Sequence, residues 1–448
     1  MALKGKKEFA WLLLGDVGVF AISLWLTLAI RNLQVPENSL FISHLAPFSL
    51  LFVVWALVFF IAGLYDRYTL LIKSRLPSRL LTAHTFNVVI AIIFFYSIPY
   101  FGISPKITLF LYLLISSAIL FFWRLTLYGK IVVTSRTELV VLATGSDVDY
   151  LCEKVKAGNS LFSVSKVINP ADLLASKPET VEGFMVSELQ EAKTSILAVD
   201  LYNKDIQTLL PILYSLLYKG VRFINVQDLY EETTDKVPLG LIDETWFLKH
   251  ASIEPDFVYG SIKRLMDIGL SLPLFAFSLL FYPFVWIGMK LEDGGALFYT
   301  PERIGEGGKR IKIYKFRTMS VMDAGNQLGQ NANKITKLGK FMRVTRIDEL
   351  PQLWNILNGD LSLIGPRPEF PNLVELYNKE IPHYNVRHFI TPGLSGWAQI
   401  HHEKPPHTVE ETVEKLAYDL YYIKHRSLLL DVKIALQTIK TLLSRVGV

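Results

Sequence analysis

The chain has 448 residues, is 51% hydrophobic and carries 46 Lys and Arg against 41 Asp and Glu, a formal charge of +5. That length supports two or three domains, and that apolar content is unlike an ordinary soluble enzyme. The small basic excess does not suggest a nucleic-acid binder, and one cysteine, Cys152, excludes an internal disulfide or a Cys-based metal site.

Four apolar runs fill the first 130 residues, at about 9–30, 45–64, 83–101 and 107–128. Each approaches the ~20 residues that cross a bilayer as a helix. The third is the weakest, because His84, Asn87 and Pro99 interrupt it. The first is too long for a cleaved signal peptide and lacks a small-x-small cleavage site. Lys4, Lys6 and Lys7 precede the first run. Arg67, Lys73, Arg75 and Arg79 separate the second from the third, and Arg124, Lys130 and Arg136 close the fourth. The loops at 31–44 and 101–106 are poor in Lys and Arg, so the positive-inside rule puts both ends of the bundle in the cytoplasm. Asp16 lies inside the first run near its cytoplasmic end. Such an acid is either functional or held by an interfacial or intrabundle hydrogen bond.

From about residue 137 the pattern changes. Glu138–Gly145, Ile196–Asp200 and Val221–Asn225 read as strands among helical stretches such as Asp149–Lys156, which argues a small parallel sheet. A dinucleotide site would need Gly-x-Gly-x-x-Gly after the first strand. The chain has Ala143-Thr144-Gly145-Ser146-Asp147, with one glycine and an acid where a pyrophosphate would sit. A Rossmann-like scaffold without a dinucleotide, or with a regulatory ligand at most, is expected. Tyr150 and Lys154 match a dehydrogenase spacing by chance, since they follow the wrong strand.

Lys263, Arg264 and Asp267 open a charge-free run from Ile268 to Met289 that Lys290 ends. Basic residues flank both ends, and Pro273 and Pro283 interrupt the run. A helix broken at Pro283 can turn back inside the bilayer, leaving both ends on one side.

Leu297–Ile304 and Arg310–Phe316 read as a hairpin joined through Gly305-Glu306-Gly307-Gly308; no Gly-Lys-Ser/Thr follows to make a phosphate loop. Lys315 and Arg317, two apart, share a strand face. Residues 322–334 are polar and Gly-dotted, as in a mobile loop or lid. The densest window is 341–369. Asp348 and Glu349 sit side by side, Arg343 and Arg346 precede them, and Arg367 follows in Gly-Pro-Arg-Pro. Pro351 is tolerated only in a helix's first turn, so a helix is expected to start near Asp348 and end at Gly359. Both acids would then lie at a positive helix end and stay ionised, a setting that suits an anionic substrate and a divalent cation. Capping by Asp348 alone leaves the second acid and the three arginines unexplained. His383, His388, His401, His402 and His407 show no zinc-ligand spacing. Leu428–Val446 carries an amphipathic stripe for the membrane surface or the module.

These motifs resemble the bacterial sugar transferase family, the polyprenyl-phosphate glycosyl-1-phosphate transferases, in its large form. The landmarks are Lys263-Arg264-x-x-Asp267, Tyr314-Lys-Phe-Arg-Thr-Met319, Asp348-Glu-Leu-Pro-Gln352, Gly365-Pro-Arg-Pro368, Pro392-Gly-x-Ser-Gly-Trp-Ala-Gln399 and Tyr418-Asp-Leu-Tyr-Tyr-Ile-Lys424. Tyr230–Leu239 resembles the linker of the large members. The resemblance implies a membrane α-helical bundle at 1–131, an α/β Rossmann-like module at 132–250, and a mixed α/β membrane-associated catalytic domain at 258–448 with a re-entrant helix at 263–290. It also implies a ping-pong reaction. Asp348 would attack the β-phosphorus of a UDP-sugar, releasing UMP, and polyprenyl (undecaprenyl) phosphate would accept the sugar-1-phosphate, which initiates surface polysaccharide synthesis.

Glu349, beside Asp348, would hold Mg²⁺, and Lys315, Arg317, Arg343 and Arg367 would clamp phosphate. The location implied is the bacterial inner membrane, with the catalytic domain facing the cytoplasm. Glucose or galactose phosphate is the sugar expected for this architecture, and contacts of the middle module could support a homodimer. Three departures stand out. The break at Tyr282-Pro283 comes late in its segment, Arg346 replaces a small residue, and Ala332-Asn333-Lys334 replaces Asp-Pro-Arg. Two other readings fit parts of the pattern. A membrane-anchored nucleotide-sugar dehydratase or epimerase would need the missing glycine fingerprint, and a non-catalytic adaptor of polysaccharide assembly would not need the acid pair.

Overall fold

The first long helices form because their apolar runs are nearly free of charge, and the one acid among them finds a partner. The computed structural model describes residues 2–65, 76–97, 106–127, 137–157, 162–174, 178–250, 257–292, 294–320, 335–402, 406 and 408–444. The cations expected to matter at 67, 73, 75, 130 and 136, His407 and the loop at 322–334 lie outside them. Among the described residues five helices are long and apolar enough to cross a membrane: Ala10–Asn32, Asn38–Ile61, Arg79–Tyr96, Ile107–Thr126 and Val258–Glu292.

In the N-terminal bundle Phe20, Phe48, Phe52, Trp55 and Tyr112 interlock around the core. Asp16 is fully buried there. It accepts from Arg124 Nε at 2.9 Å and from Tyr65 Oη at 3.0 Å, while Arg124 Nη1 donates to the Leu64 carbonyl at 2.9 Å. Arg124, counted from the sequence as a cation closing the fourth run, is therefore an internal partner, 2% exposed. Gly15 permits the close approach: a Cβ on it would lie 2.1 Å from the Trp123 ring.

The middle residues build four parallel strands, β1 (Thr137–Leu142), β2 (Phe162–Ile168), β3 (Ile196–Val199) and β4 (Arg222–Asn225), in the order β2-β1-β3-β4. β2 escaped the sequence reading because it is an edge strand whose middle positions are polar and exposed. The Lys154 ammonium sits over the Tyr150 ring at 5.3 Å, a local packing contact.

The chain divides into two compact units, Met1–Thr233 and Thr234–Val448. The second begins with a strap. Trp397 Nε1 donates to the Asp235 carbonyl at 2.8 Å, Lys236 Nζ to Glu414 at 2.9 Å, and Val237 N to the Ala417 carbonyl at 3.1 Å.

The helix Phe257–Ser278 follows, then a 3-10 turn at Leu279–Phe281 and the helix Tyr282–Glu292. The turn lies just ahead of Pro283, whose nitrogen has no hydrogen to offer the preceding turn. Both ends of this segment are fastened to the same unit. At its start Lys263 Nζ meets Asp431 at 3.1 Å, Arg264 donates to the carbonyls of Ile356 and Leu357, and Asp267 accepts from Ser362 Oγ at 2.8 Å and Leu363 N at 3.1 Å. At its finish Val285 and Met289 share a core with Phe316 and Met342, and Glu292 accepts from Lys337 N at 2.6 Å.

The expected hairpin forms with each arm broken once: β6 (Glu302–Ile304) pairs β7 (Arg310–Lys312), and β5 (Phe298–Tyr299) pairs β8 (Lys315–Phe316). Its turn uses Gly307 and Gly308 at positive φ. The helix Leu428–Ser444 buries Asp431 and Ile434 and leaves Val432, Leu436 and Ile439 exposed.

Arg124→Ala strands the Asp16 charge inside the bundle and is expected to cost roughly 3–5 kcal/mol. A thermal melt of the protein in micelles measures it, and the Asp16→Asn/Arg124→Met double variant should recover most of the loss.

Candidate active site

Four pieces of backbone converge on the acid pair. Helix Lys337–Thr345 ends at Arg346, which adopts φ 56°, the left-handed region. A single 3-10 turn, Ile347–Glu349, carries the two acids, and the α-helix resumes only at Gln352, running to Asn358 with Gly359 at φ 91° closing it. The sequence placed the helix start near Asp348. The left-handed Arg346 and the missing N–H of Pro351 put it four residues later, and no side chain caps it. Asp348 is therefore not the cap of this helix and sits in the 3-10 turn that leads into it.

Glu349 is held by two of the expected cations. Lys315 Nζ lies 3.1 Å and Arg367 Nη2 3.5 Å from Glu349 Oε1. Burial alone would raise this carboxyl, but Lys315 and Arg367 outweigh it and hold the group at about 2. Burial also pulls the Lys315 ammonium below its ordinary value, so the pair is worth less than the carboxylate alone suggests.

Asp348 behaves oppositely. Burial, then the charge of Glu349, push it up to about 6 despite Lys315, Arg346 and Arg343. Glu349 is therefore ionised throughout the ordinary range, whereas Asp348 is ionised only above about pH 6. Asp348 Oδ1 is buried with no hydrogen-bond partner.

The remaining predicted cations divide. Arg343 stands near enough to act on Asp348 while its Nε donates to Thr318 Oγ1 at 3.0 Å. Arg317 is turned to the backbone, with Nε 2.9 Å from the Ala296 carbonyl and Nη1 3.2 Å from that of Met319. It braces the strand rather than joining Lys315 at the acids. Pro283 lies in the helix after the 3-10 turn, packed beside Tyr282, whose ring meets Phe316 at 4.9 Å.

Arg367 is set from behind by a buried ionic cluster that sequence spacing does not reveal. Arg387, 2% exposed, donates from Nη2 to the Arg367 carbonyl at 2.9 Å, from Nη1 to Tyr384 Oη at 2.7 Å and from Nε to Asp419 at 3.1 Å. Glu369 meets Lys415, with Arg303 at 3.8 Å and Arg387 at 3.9 Å. Burial raises the Glu369 carboxyl, but Lys415, Arg387 and Arg303 bring it down to about 2. Arg303 in turn lies over the Phe370 ring at 3.3 Å. The Arg387–Asp419 and Lys415–Glu369 pairs are 32 and 46 residues apart in sequence, which is why no local pattern announces them.

The turn itself depends on glycine. A Cβ on Gly393 would fall 2.0 Å from Gly365 N, so the parallel pair β9 (Ser362–Ile364) and β10 (Gly393–Ser395) closes backbone against backbone.

A divalent cation fits this donor set. Mg²⁺ is commonly held by one or two carboxylates together with substrate phosphates, and Asp348 Oδ1 is a buried acceptor with nothing to accept from. Among the described residues no group of three His, Cys, Asp or Glu could hold a metal by itself. Of the histidines, His388 is buried beside Arg387, and burial first, then that charge, bring it down to about 3.

Comparison with known proteins agrees with the residues. The sequence model of a family described as bacterial sugar transferase matches residues 258–445. A UDP-N-acetylgalactosamine-undecaprenyl-phosphate N-acetylgalactosaminephosphotransferase of Aeromonas hydrophila is 40% identical over 229 residues, 50% of this chain and 52% of that protein. A UDP-glucose:undecaprenyl-phosphate glucose-1-phosphate transferase of Escherichia coli K12 is 39% identical over 157 residues, 34% of each chain. A sugar transferase of Bacillus subtilis 168 is 35% identical over 188 residues, 42% of this chain and 90% of that protein. The chain belongs to the bacterial sugar transferase family. Its match spans about half the length of the Aeromonas relative and about a third of the Escherichia one.

The Glu369 carboxyl is lowered in the fold from an ordinary 4.5 to about 2. Its stabilisation is therefore present above pH 4.5 and lost as pH falls towards 2. Glu369→Gln should flatten that part of the acid-unfolding curve and lower the melting temperature at pH 7, because Lys415 and Arg303 lose their partner.

Proposed function

We propose that the protein transfers a sugar-1-phosphate from a UDP-sugar to a polyprenyl phosphate through a covalent aspartyl-phosphosugar, releasing UMP and initiating a surface polysaccharide. The observation that carries this is the split acid pair. Glu349 is fixed as an anion between two cations, while Asp348 presents a buried oxygen that nothing in the fold engages. The names of the Aeromonas and Escherichia relatives, which pair a UDP-sugar with undecaprenyl phosphate, support the substrate classes.

Asp348 acts as nucleophile towards the β-phosphorus. Its raised pKa marks a carboxylate short of compensating charge, and such a group gains from bonding to an electrophile. Lys315 and, on the neighbouring Glu349, Arg367 would receive phosphate oxygens, and Arg343 adds positive potential at Asp348. Glu349 and Asp348 would hold Mg²⁺, which screens the diphosphate charge. The polyprenyl phosphate then attacks the aspartyl phosphorus, freeing the carboxylate.

The segment 257–292 enters the bilayer and turns back at 279–281. Two attachments support this, Lys263, Arg264 and Asp267 at one end and Val285, Met289 and Glu292 at the other, all to the same unit. The exposed stripe of Val432, Leu436 and Ile439 suits the membrane surface. A lipid phosphate and a soluble nucleotide can then reach one site from the cytoplasmic face of the inner membrane. The four-stranded parallel module serves as a Rossmann-like scaffold.

Wild-type protein with polyprenyl phosphate, Mg²⁺ and UDP-glucose, UDP-galactose or UDP-N-acetylgalactosamine should release UMP from at least one donor. Quenched protein should carry a sugar-phosphate adduct on the peptide bearing Asp348, and Asp348→Asn should abolish both while remaining folded. The free-enzyme kcat/KM should fall as pH drops below about 6, where Asp348 takes up its proton. No UMP from any donor, or an adduct elsewhere, refutes the reading.

A further inference from the structure

Gln352 is the first residue of helix Gln352–Asn358. It is 5% exposed, and its amide nitrogen has no hydrogen-bond partner. Burying an N–H without an acceptor is costly, so such a group calls for an explanation. Its place in the helix supplies one. Asn355, three residues on, shares the buried face and is stitched to the hairpin: its Oδ1 accepts from Tyr314 N at 3.0 Å and its Nδ2 donates to the Lys312 carbonyl at 2.7 Å. Gln352 lies one turn closer to the acids on that buried face. Four residues earlier, Asp348 Oδ1 is also buried and unpartnered. Four residues apart, the chain thus keeps one idle donor and one idle acceptor that do not satisfy each other. A phosphoryl group engages both, because its phosphorus takes the carboxylate oxygen and its non-bridging oxygens take an N–H.

We propose that Gln352 is a catalytic residue whose amide donates to a non-bridging oxygen of the β-phosphoryl group while Asp348 bonds to phosphorus. This rests on the transferase reading and deepens it. In the step an Asp348 oxygen forms the new bond to phosphorus. The bond from that phosphorus to the oxygen bridging the two phosphates breaks, and its electron pair leaves with UMP. No proton is transferred. A neutral amide suits the position, since it stabilises charge spreading over the phosphoryl oxygens without adding a cation that would hold the departing UMP.

The test uses full-length protein in lipid nanodiscs with the UDP-sugar that the wild type accepts. Gln352→Leu is expected to slow UMP release ~10²-fold, the usual effect of losing one such donor, with little change in donor KM. Its melting temperature should equal or exceed that of wild type, because the lost amide had no partner in the fold. Gln352→Glu, similar in size and without the N–H donors when ionised, should be at least as slow. A well-folded Leu variant within twofold of wild-type UMP release overturns the proposal, as does one whose loss of rate matches a loss of folded protein. If the Leu variant does not fold, wild-type rates in Gln352→Glu overturn it equally. A wild type that releases no UMP overturns the transferase reading itself, whereas an active wild type with an active Leu variant overturns only the role of Gln352.

Discussion

Lys315 and Arg367 converge on one oxygen of Glu349, and the chemistry of the neighbouring acid follows from that contact. Two adjacent carboxylates in a buried turn would ordinarily compete to stay charged. Here the cations give the charge to Glu349, and Asp348 is left with burial and a fixed negative neighbour. The two cations come from distant parts of the chain, a hairpin strand and a Gly-Pro-Arg-Pro turn, so the hairpin, the turn and the acids have to be held in one register. Asn355 ties the helix after the acids to the hairpin, and Arg387 ties the turn to helix Val409–His425.

Much of this could be read from the sequence because local patterns carried it. The bundle runs, the hairpin, the acid pair with three of its four named cations nearby, and the strands β1, β3 and β4 follow from hydrophobic period, glycine placement and charge. What escaped depends on long-range contact. Arg317 was expected at the phosphates from strand alternation, but its guanidinium is taken by carbonyls at 296 and 319 that no alternation rule foresees. The helix start was misplaced because a left-handed Arg346 is rare for a residue with a side chain. β2 was missed because an exposed edge strand has little hydrophobic signal.

The Lys263-Arg264-x-x-Asp267 motif shows the same division. Its charges drew attention in the sequence as flanks of an apolar run. In the fold they are fasteners: Arg264 takes the last carbonyls of helix Gln352–Asn358, and Asp267 takes the start of β9. The apolar segment is thereby joined to the elements that precede Arg367 and follow Asp348. A change in how deeply that segment sits would move both sides of the acid site together.

Asp16 and Arg124 are 108 residues apart, on the first and fourth helices of the bundle. During synthesis the acid emerges long before its cation exists. The first helix must therefore wait, either with its carboxyl protonated or with the acid kept at the watery edge of the insertion machinery, until the fourth is made. A chain halted before residue 124 would hold this acid with the Tyr65 hydroxyl as a hydrogen-bond donor but without its cation.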